Sequence, residues 1–526
     1  VRNVVSWNAL MVGYAHYGQG EKVLDCVEMM RVEGLSPDAV TFVCILKACG
    51  SIKSTVKGKE THAEIQREGL LEKNVLIGNA LVDMYAKCGL LTEAQDVFEL
   101  LPIRNIVSWS TLIAGYAEHG YPGKSLDWFE VMKVEGFTPN PVTFICILKA
   151  CGSIASADKG EKIHAEVIMQ GLVGTDDLIG NALLNMYAKC GAVFKAQEVF
   201  DQLHAHDVIC WTTLISGYTQ HGLSEEALNC FERMKHEGLS PNSATFIVIL
   251  KACSNIRAAG KGREIHAEIV REGLFKRDTL LGTAVMDMYA KCGALVQARQ
   301  AFDQLEIQDL VSWNTLIAGY AEEGNSEEAL NCFKQMQSEC LFPNAATFVC
   351  ALKACGIIGA SKKAKEIHVE IMGERLLERD ISVGNALLDI YAKCAEPFEA
   401  HAVFKQLPLR DLVSWTTLMA AYCQIGEDDV VVNLFDKLIQ DGIEPDVVTF
   451  TVVLNACSHS GLLEKGEGYF EVMCTCYCIT PTIEHYTCMI DLFSRAGHFC
   501  KAVAMIRQVP SSDHLPAWTA LLARCL

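Results

Sequence analysis

Trp7, Trp109, Trp211, Trp313 and Trp415 recur at intervals of 102 residues. His62, His164, His266 and His368 keep the same interval. So do Cys88, Cys190, Cys292 and Cys394, each closing the string YAKC. A long fixed period constrains a chain more than its composition does. Related units stack on their neighbours, and the core becomes a series of interfaces with no single centre. The 526 residues would otherwise suggest roughly three or four domains, but an array lengthens without dividing. The 50% of hydrophobic residues is ample for burial at every interface and unlike a disordered chain.

The net charge of −19 argues mildly against a polyanionic partner, because phosphates prefer a basic face. Its distribution along one groove matters more than its sum. The 24 cysteines raise the possibility of an oxidised scaffold. Many of them fall at repeated apolar helix positions, where they act as small buried hydrophobes, and a reduced intracellular setting follows. No apolar stretch reaches the roughly 18 residues of a membrane span; VTFVCILKACGSI is broken by Lys47. The chain opens at Val1 inside a repeat and reads as a fragment, with any targeting peptide beyond it.

Each block divides into units of 35, 36 and 31 residues, first seen as Val4–Asp38, Ala39–Asn74 and Val75–Asn105. Trp7, Leu10, Met11 and Tyr14 fall on one helical face. Phe42, Ile45, Leu46 and Cys49 repeat that face, as do Leu81, Val82 and Tyr85. A Gly-containing turn follows each, then a second amphipathic helix such as EKVLDCVEMMRVEG. Gly34 suits a C-terminal cap, and Pro37 stops the helix from continuing. Helices this short must pack on their neighbours. The expected fold is all-α, a helix-turn-helix repeat solenoid (an α-α superhelix) with one concave surface.

Units of 35 residues ending in GLSPD and opening with SWNALMVGY resemble the pentatricopeptide repeat (PPR) family. The fixed order of three unit lengths resembles its PLS subclass, found in plant organelle RNA editing factors. The resemblance spans about fifteen units over residues 4–514, with triplets starting at 4, 106, 208, 310 and 412. Residues 515–526 resemble the opening of the extension that follows the repeats in editing factors.

The resemblance implies single-stranded RNA as partner, at about one base per repeat, read by the fifth and last residues of a unit. The pairs are Asn8 with Asp38, Asn79 with Asn105, Ser110 with Asn140, and Asn181 with Asp207. They continue as Thr212 with Asn242, Thr283 with Asp309, Asn314 with Asn344, Asn385 with Asp411, and Thr416 with Asp446. All are short polar groups with defined donor and acceptor geometry. Asn or Asp in last place could instead cap the next helix, although capping does not explain the fifth position. In the family's code these pairs imply U-n-Y-A-n-U-A-n-G-Y-n-U-G. The "n" units carry Val43, Ile145, Ile247 or Val349 at position five and offer no base-edge hydrogen bond. The last unit departs from the pattern with Thr487 and His514.

The resemblance also assigns base-sandwiching to the second residues Val5, Leu76, Val107, Leu178, Ile209, Leu280, Val311 and Val413. Stacking and apolar contact contribute about 1–3 kcal/mol per base. Core packing is the competing role, and Ser382 breaks the series. Lys47, Lys149, Lys251 and Lys353 lie four residues past the fifth position, and Lys87, Lys189, Lys291 and Lys393 lie eight past it. They fall on the same helix stripe and are assigned to RNA phosphates, against a role in capping helix ends.

His62-Ala63-Glu64 and its repeats spell HxE, part of a zinc deaminase signature. No CxxC accompanies them, and Cys474, Cys476 and Cys478 have the wrong spacing. The chain is therefore expected to be non-enzymatic, with no cofactor and no catalytic metal. The editing resemblance implies a deaminase or accessory editing protein supplied in trans, or a deaminase in a missing C-terminal domain, and a mitochondrial or chloroplast location. The competing reading is a protein-binding scaffold of tetratricopeptide type, which the acidity of the chain favours.

Overall fold

The computed structural model describes residues 2–71, 73–172, 177–276, 278–509, 518, 519 and 521. His514 and most of the segment 515–526 lie outside the described residues. Thirty α-helices and one 3-10 turn, Leu376–Glu378, make up the described regular structure, and it contains no strand. The chain divides into two compact units, Val1–Ile256 and Arg257–Leu526.

The first triplet sets the pattern. Its helices are Val4–His16, Gly20–Val32, Ala39–Ser51, Thr55–Arg67, Val75–Lys87 and Leu91–Leu100. They pair as first and second helices of successive repeats. The first helix ends in a tight turn, and the second ends at Val32, where Gly34 takes φ +77°. That left-handed conformation costs glycine little and lets its N–H bond back to the Arg31 carbonyl at 3.0 Å.

Within Val1–Ile256, each first helix packs on the next first helix, from Val4–His16 to Ser243–Asn255. The second helices pack on their own and the following first helix, and among the described residues they do not pack substantially on each other. A layer whose members touch lies on the shorter arc, so the first helices form the inner face. Arg257–Leu526 follows the same rule from Thr279–Lys291 to Ile483–Arg495.

Three kinds of seam alternate, and each repeats an aromatic pair at the 102-residue step. Between the 31- and 35-residue units, Phe98 meets Trp109 edge-on at 4.7 Å, and Phe200, Phe302 and Phe404 meet Trp211, Trp313 and Trp415. Between the 35- and 36-residue units, Phe129 packs on Phe144 at 6.3 Å, with Phe231 on Phe246, Phe333 on Phe348 and Phe435 on Phe450 as its repeats. Between the 36- and 31-residue units, His62 bonds the Tyr85 hydroxyl at 2.8 Å, and His164, His266 and His368 repeat the bond to Tyr187, Tyr289 and Tyr391. The HxE histidines thus spend Nδ1 on packing, and burial holds their imidazoles below the usual histidine range. Burial likewise pushes the thiols of Cys49, Cys151 and Cys355 up to about 11, as expected for inert packing groups.

Trp211 is fully buried in such a seam. Replacing it with Ala should cost about 3–5 kcal/mol. In a nearest-neighbour array the loss should stay local. Hydrogen exchange should therefore speed up in the helices around residues 193–236 and remain protected in distant repeats. Uniform loss of protection along the chain would contradict the seam-by-seam core.

Candidate nucleic-acid interface

The inner face begins with helix starts. Asp38 precedes the helix Ala39–Ser51 in extended conformation, and its Oδ1 accepts the Thr41 N–H at 2.9 Å. This is an N-cap. The same oxygen accepts the Asn8 side-chain amide at 2.9 Å, while the Thr41 hydroxyl donates to the Asn8 oxygen at 2.7 Å. Fifth residue, last residue and the cap of the next helix form one network.

That arrangement recurs with variations. Asn79 donates to Asn105 at 3.3 Å, Asn314 to Asn344 at 3.3 Å, and Asn385 to both oxygens of Asp411 at 3.2 Å. The Ser110 hydroxyl shares a hydrogen bond with the Thr143 hydroxyl at 2.7 Å and reaches Asn140 at 3.5 Å. Thr212 reaches Thr245 at 2.7 Å and Thr416 reaches Thr449 at 2.9 Å, with Asn242 and Asp446 capping those threonines. Asn181 accepts from the Cys210 thiol, whose backbone N–H Asp207 caps. Thr283 bonds back to the Thr279 carbonyl, and Asp309 caps Ser312. Capping and pairing with the fifth residue therefore coexist. The bridging Thr41, Thr143, Thr245 and Thr449 escaped the sequence reading, although their 102-residue recurrence was a usable signal.

Three pairs sit in equivalent pockets. One, of about 290 Å³, is lined by Thr212 and Asn242, by Ile209 and Ala244, and by Lys189. The next, of about 310 Å³, has Ser110 and Asn140, Val107 and Val142, and Lys87. A third, of about 500 Å³, has Asn314 and Asn344, Val311 and Ala346, and Lys291. In each, the second residues of two consecutive repeats flank the polar pair, and a lysine from the preceding repeat stands at the rim.

The eight second residues are not core groups. Val5, Leu76, Val107, Leu178, Ile209, Leu280, Val311 and Val413 are all at least half exposed, Val107 by 51% and Val5 by 71%. Ser382 is exposed at the equivalent place. Exposed apolar groups at a fixed period are expected where a ligand covers them.

All eight stripe lysines are exposed, and several are already paired. Lys87 meets Asp83 at 2.8 Å, Lys291 meets Asp287 at 2.7 Å, Lys393 meets Asp389 at 2.6 Å, and Lys353 meets Glu322 at 3.5 Å. Beside Lys189 the corresponding residue is the neutral Asn185. The positive stripe is partly neutralised, which the spacing of the lysines alone did not reveal.

A match to the family model described as "PPR repeat family" covers residues 2–51, 104–153, 206–255, 308–356 and 410–459. A second, "PPR repeat", covers residues 79–106, 181–208 and 448–478. The chain belongs to the pentatricopeptide repeat family. A pentatricopeptide repeat-containing protein of Arabidopsis thaliana is 33% identical over all of this chain, which spans 72% of that relative. A chloroplastic relative from the same plant is 34% identical over all of this chain and is spanned to 60%. A mitochondrial one is 31% identical over 99% of this chain and is spanned to 75%. Maize PPR10 superposes with a TM-score of 0.62 at 20% identity, covering 99% of this chain and 80% of PPR10. PPR10 in complex with an 18-nucleotide psaJ RNA element superposes at 0.57 and 18% identity, covering 99% of this chain and 85% of that one.

Burial works against ionising Asp38, but hydrogen bonds from Thr41 and Asn8 overcome it and hold the carboxyl below its usual range. At Asp411 burial is likewise overcome, by Ser414 and Asn385. At Asp207 the opposing donor is Cys210. A carboxylate depressed in the folded state stabilises fully above the unfolded-state value of about 3.9, and that contribution fades as pH falls through the folded values. Replacing Asp38, Asp207 and Asp411 together by Asn, which still caps, should flatten the loss of stability below about pH 4. Acid titrations followed by circular dichroism should show it, and an unchanged slope would remove these carboxylates from the acid transition.

Proposed function

We propose that this chain binds single-stranded RNA in a sequence-specific manner, at about one base per repeat, along the row of first helices. The observation that carries the reading is the pocket repeated at the 102-residue step. It sets a polar pair at the floor, two exposed apolar side chains at the walls and a lysine at the rim. Those groups suit a base edge, its faces and its phosphate respectively. The side-chain oxygens of Asn79, Asn314 and Asn385 add support, being buried without a hydrogen-bond partner. An acceptor in that state favours a base that brings an N–H donor.

In this reading the nine polar pairs specify U-n-Y-A-n-U-A-n-G-Y-n-U-G, and the 36-residue units contribute affinity through apolar contact. The triplet order belongs to the PLS type and directs organellar C-to-U editing of a bound transcript, with the deaminase acting in trans or from a further domain. A mitochondrial or chloroplast location accords with the relatives named for those organelles.

Two measurements test this. Thr212→Asn should shift that repeat from adenine towards a pyrimidine, with about 1–3 kcal/mol of altered discrimination, by analogy with base-edge contacts. Competition between RNAs differing at that one position reads it directly, and an unaltered preference defeats the assignment. Replacing Lys87, Lys189, Lys291 and Lys393 by Ala should weaken all RNAs alike and flatten the salt dependence of binding. Lys189, which lacks the aspartate of its counterparts, should contribute most. A lysine-free stripe with the parent's salt slope would remove the phosphate role.

A further inference from the structure

Three positions break the register of the array together. Cys423 stands where the earlier blocks have Ala15, Ala117, Thr219 and Ala321. Asp428 replaces Gly20, Pro122, Ser224 and Ser326, and His459 replaces Ser51, Ser153, Asn255 and Ile357. In the third block this spot is a neutral contact: the Asn255 amide donates to the Ser224 hydroxyl at 3.4 Å and the Thr219 carbonyl at 3.3 Å. In the last block it becomes a thiol, a carboxylate and an imidazole, whose ligand atoms all lie within 4.8 Å of one another.

The backbone fixes all three. Cys423 lies in the last turn of the helix Leu412–Gln424, Asp428 opens the helix Asp428–Gln440, and His459 lies in the last turn of Val447–Ser460. Asp428 is only 8% exposed. Its Oδ1 has no hydrogen-bond partner, and the His459 Nδ1 stops at 3.9 Å. A buried carboxylate oxygen without a partner is costly unless a cation or donor joins it. A fourth departure fits the same purpose. Asn455 replaces the stripe lysine found at Lys47, Lys149, Lys251 and Lys353, and its amide donates to the Cys423 sulfur at 3.7 Å. A lysine there would repel a dication, whereas an amide can support a thiolate.

We propose that Cys423, Asp428 and His459 bind a zinc ion as a three-ligand site with one open position. Sulfur, nitrogen and oxygen donors together suit Zn²⁺, at about 2.3 Å for sulfur and about 2.0–2.2 Å for the others. Tetrahedral angles at those lengths bring ligand atoms to about 3.3–3.6 Å from each other. Closing to those lengths requires side-chain rotation, for which the exposed His459 has room. Binding converts the Cys423 thiol to a thiolate and releases its proton. The ion would staple the two helices of the repeat that carries Thr416 and Asp446 to the first helix of the next repeat.

Cobalt(II) spectroscopy on the purified chain tests the site without any RNA, so its outcome is separate from that of the RNA-binding reading. Addition of Co²⁺ should produce a thiolate charge-transfer band and the intense visible bands of a four-coordinate ion, both discharged by Zn²⁺. Cys423→Ala, Asp428→Ser and His459→Ser install residues that other blocks already carry at these positions, so the repeat should still fold. Each should lower Zn²⁺ affinity by at least about tenfold in a chelator competition, and Cys423→Ala should remove the charge-transfer band. Zn²⁺ should also raise the melting temperature of the parent more than that of the three variants. Absence of the visible bands overturns the assignment. So do bands and affinity that survive all three substitutions, which would place the metal at other cysteines.

Discussion

In several repeats, among them those ending at Asp38, Asn105, Asn344 and Asp411, one side-chain oxygen at the end of the repeat does two jobs. It accepts the backbone N–H of the third residue of the next helix, and it braces the polar residue at position five of its own repeat, as Asp38 does for Thr41 and Asn8. A helix start needs a short acceptor at its N-cap. A reading position needs a side chain held in one geometry so that little entropy is lost on binding. The first requirement admits Asp, Asn, Ser or Thr, and the second narrows these to groups that can also reach back one repeat. Capping and the proposed base reading therefore do not compete for the last residue. Because the cap fixes the start of the following helix, it also sets where the next exposed apolar residue and the next polar pair will lie.

Much of this was legible in the chain because an array writes its contacts at a fixed distance. Trp109 and Phe144 mark two of the seams, and each recurs at the same step. The helical face of Trp7 and Met11 follows from spacing alone, and both are buried. Exposure of the second residues was not legible, since a valine beside a buried tryptophan has the same sequence signature whether it turns inward or outward. The polar bridge from Thr41 to Asn8 spans 33 residues and depends on how one repeat leans on the next. The pairing of Lys87 with Asp83 lay within one helical turn and was readable as an i, i+4 pair. The pairing of Lys353 with Glu322 crosses between repeats and was not.

The cluster of Cys423, Asp428 and His459 shows a different kind of signal. No local motif announces it, because its members come from three helices and two repeats. It stands out only when each residue is compared with its counterparts at the 102-residue step, where four changes, including the loss of a lysine at Asn455, fall on one spot. In a repeat protein the chain serves as its own reference. Positions that obey the register report on stacking, and positions that leave it together report on something the stack alone does not require.

The charge distribution bears on how this chain would bind RNA under the proposed function. With a net charge of −19 and four of the eight stripe lysines tied to Asp83, Asp287, Asp389 and Glu322, counterion release would drive indiscriminate binding less than a fully basic stripe would. In the proposed complex a larger share of the affinity would then come from the walls and floors of the pockets, where apolar side chains lie exposed and polar groups are held in place by the caps. Contacts of that kind reward a matching base and leave a mismatched one with buried, unpaired groups. Under the proposed function, a partly neutralised lysine stripe would sacrifice non-specific affinity and keep discrimination between matching and mismatched bases.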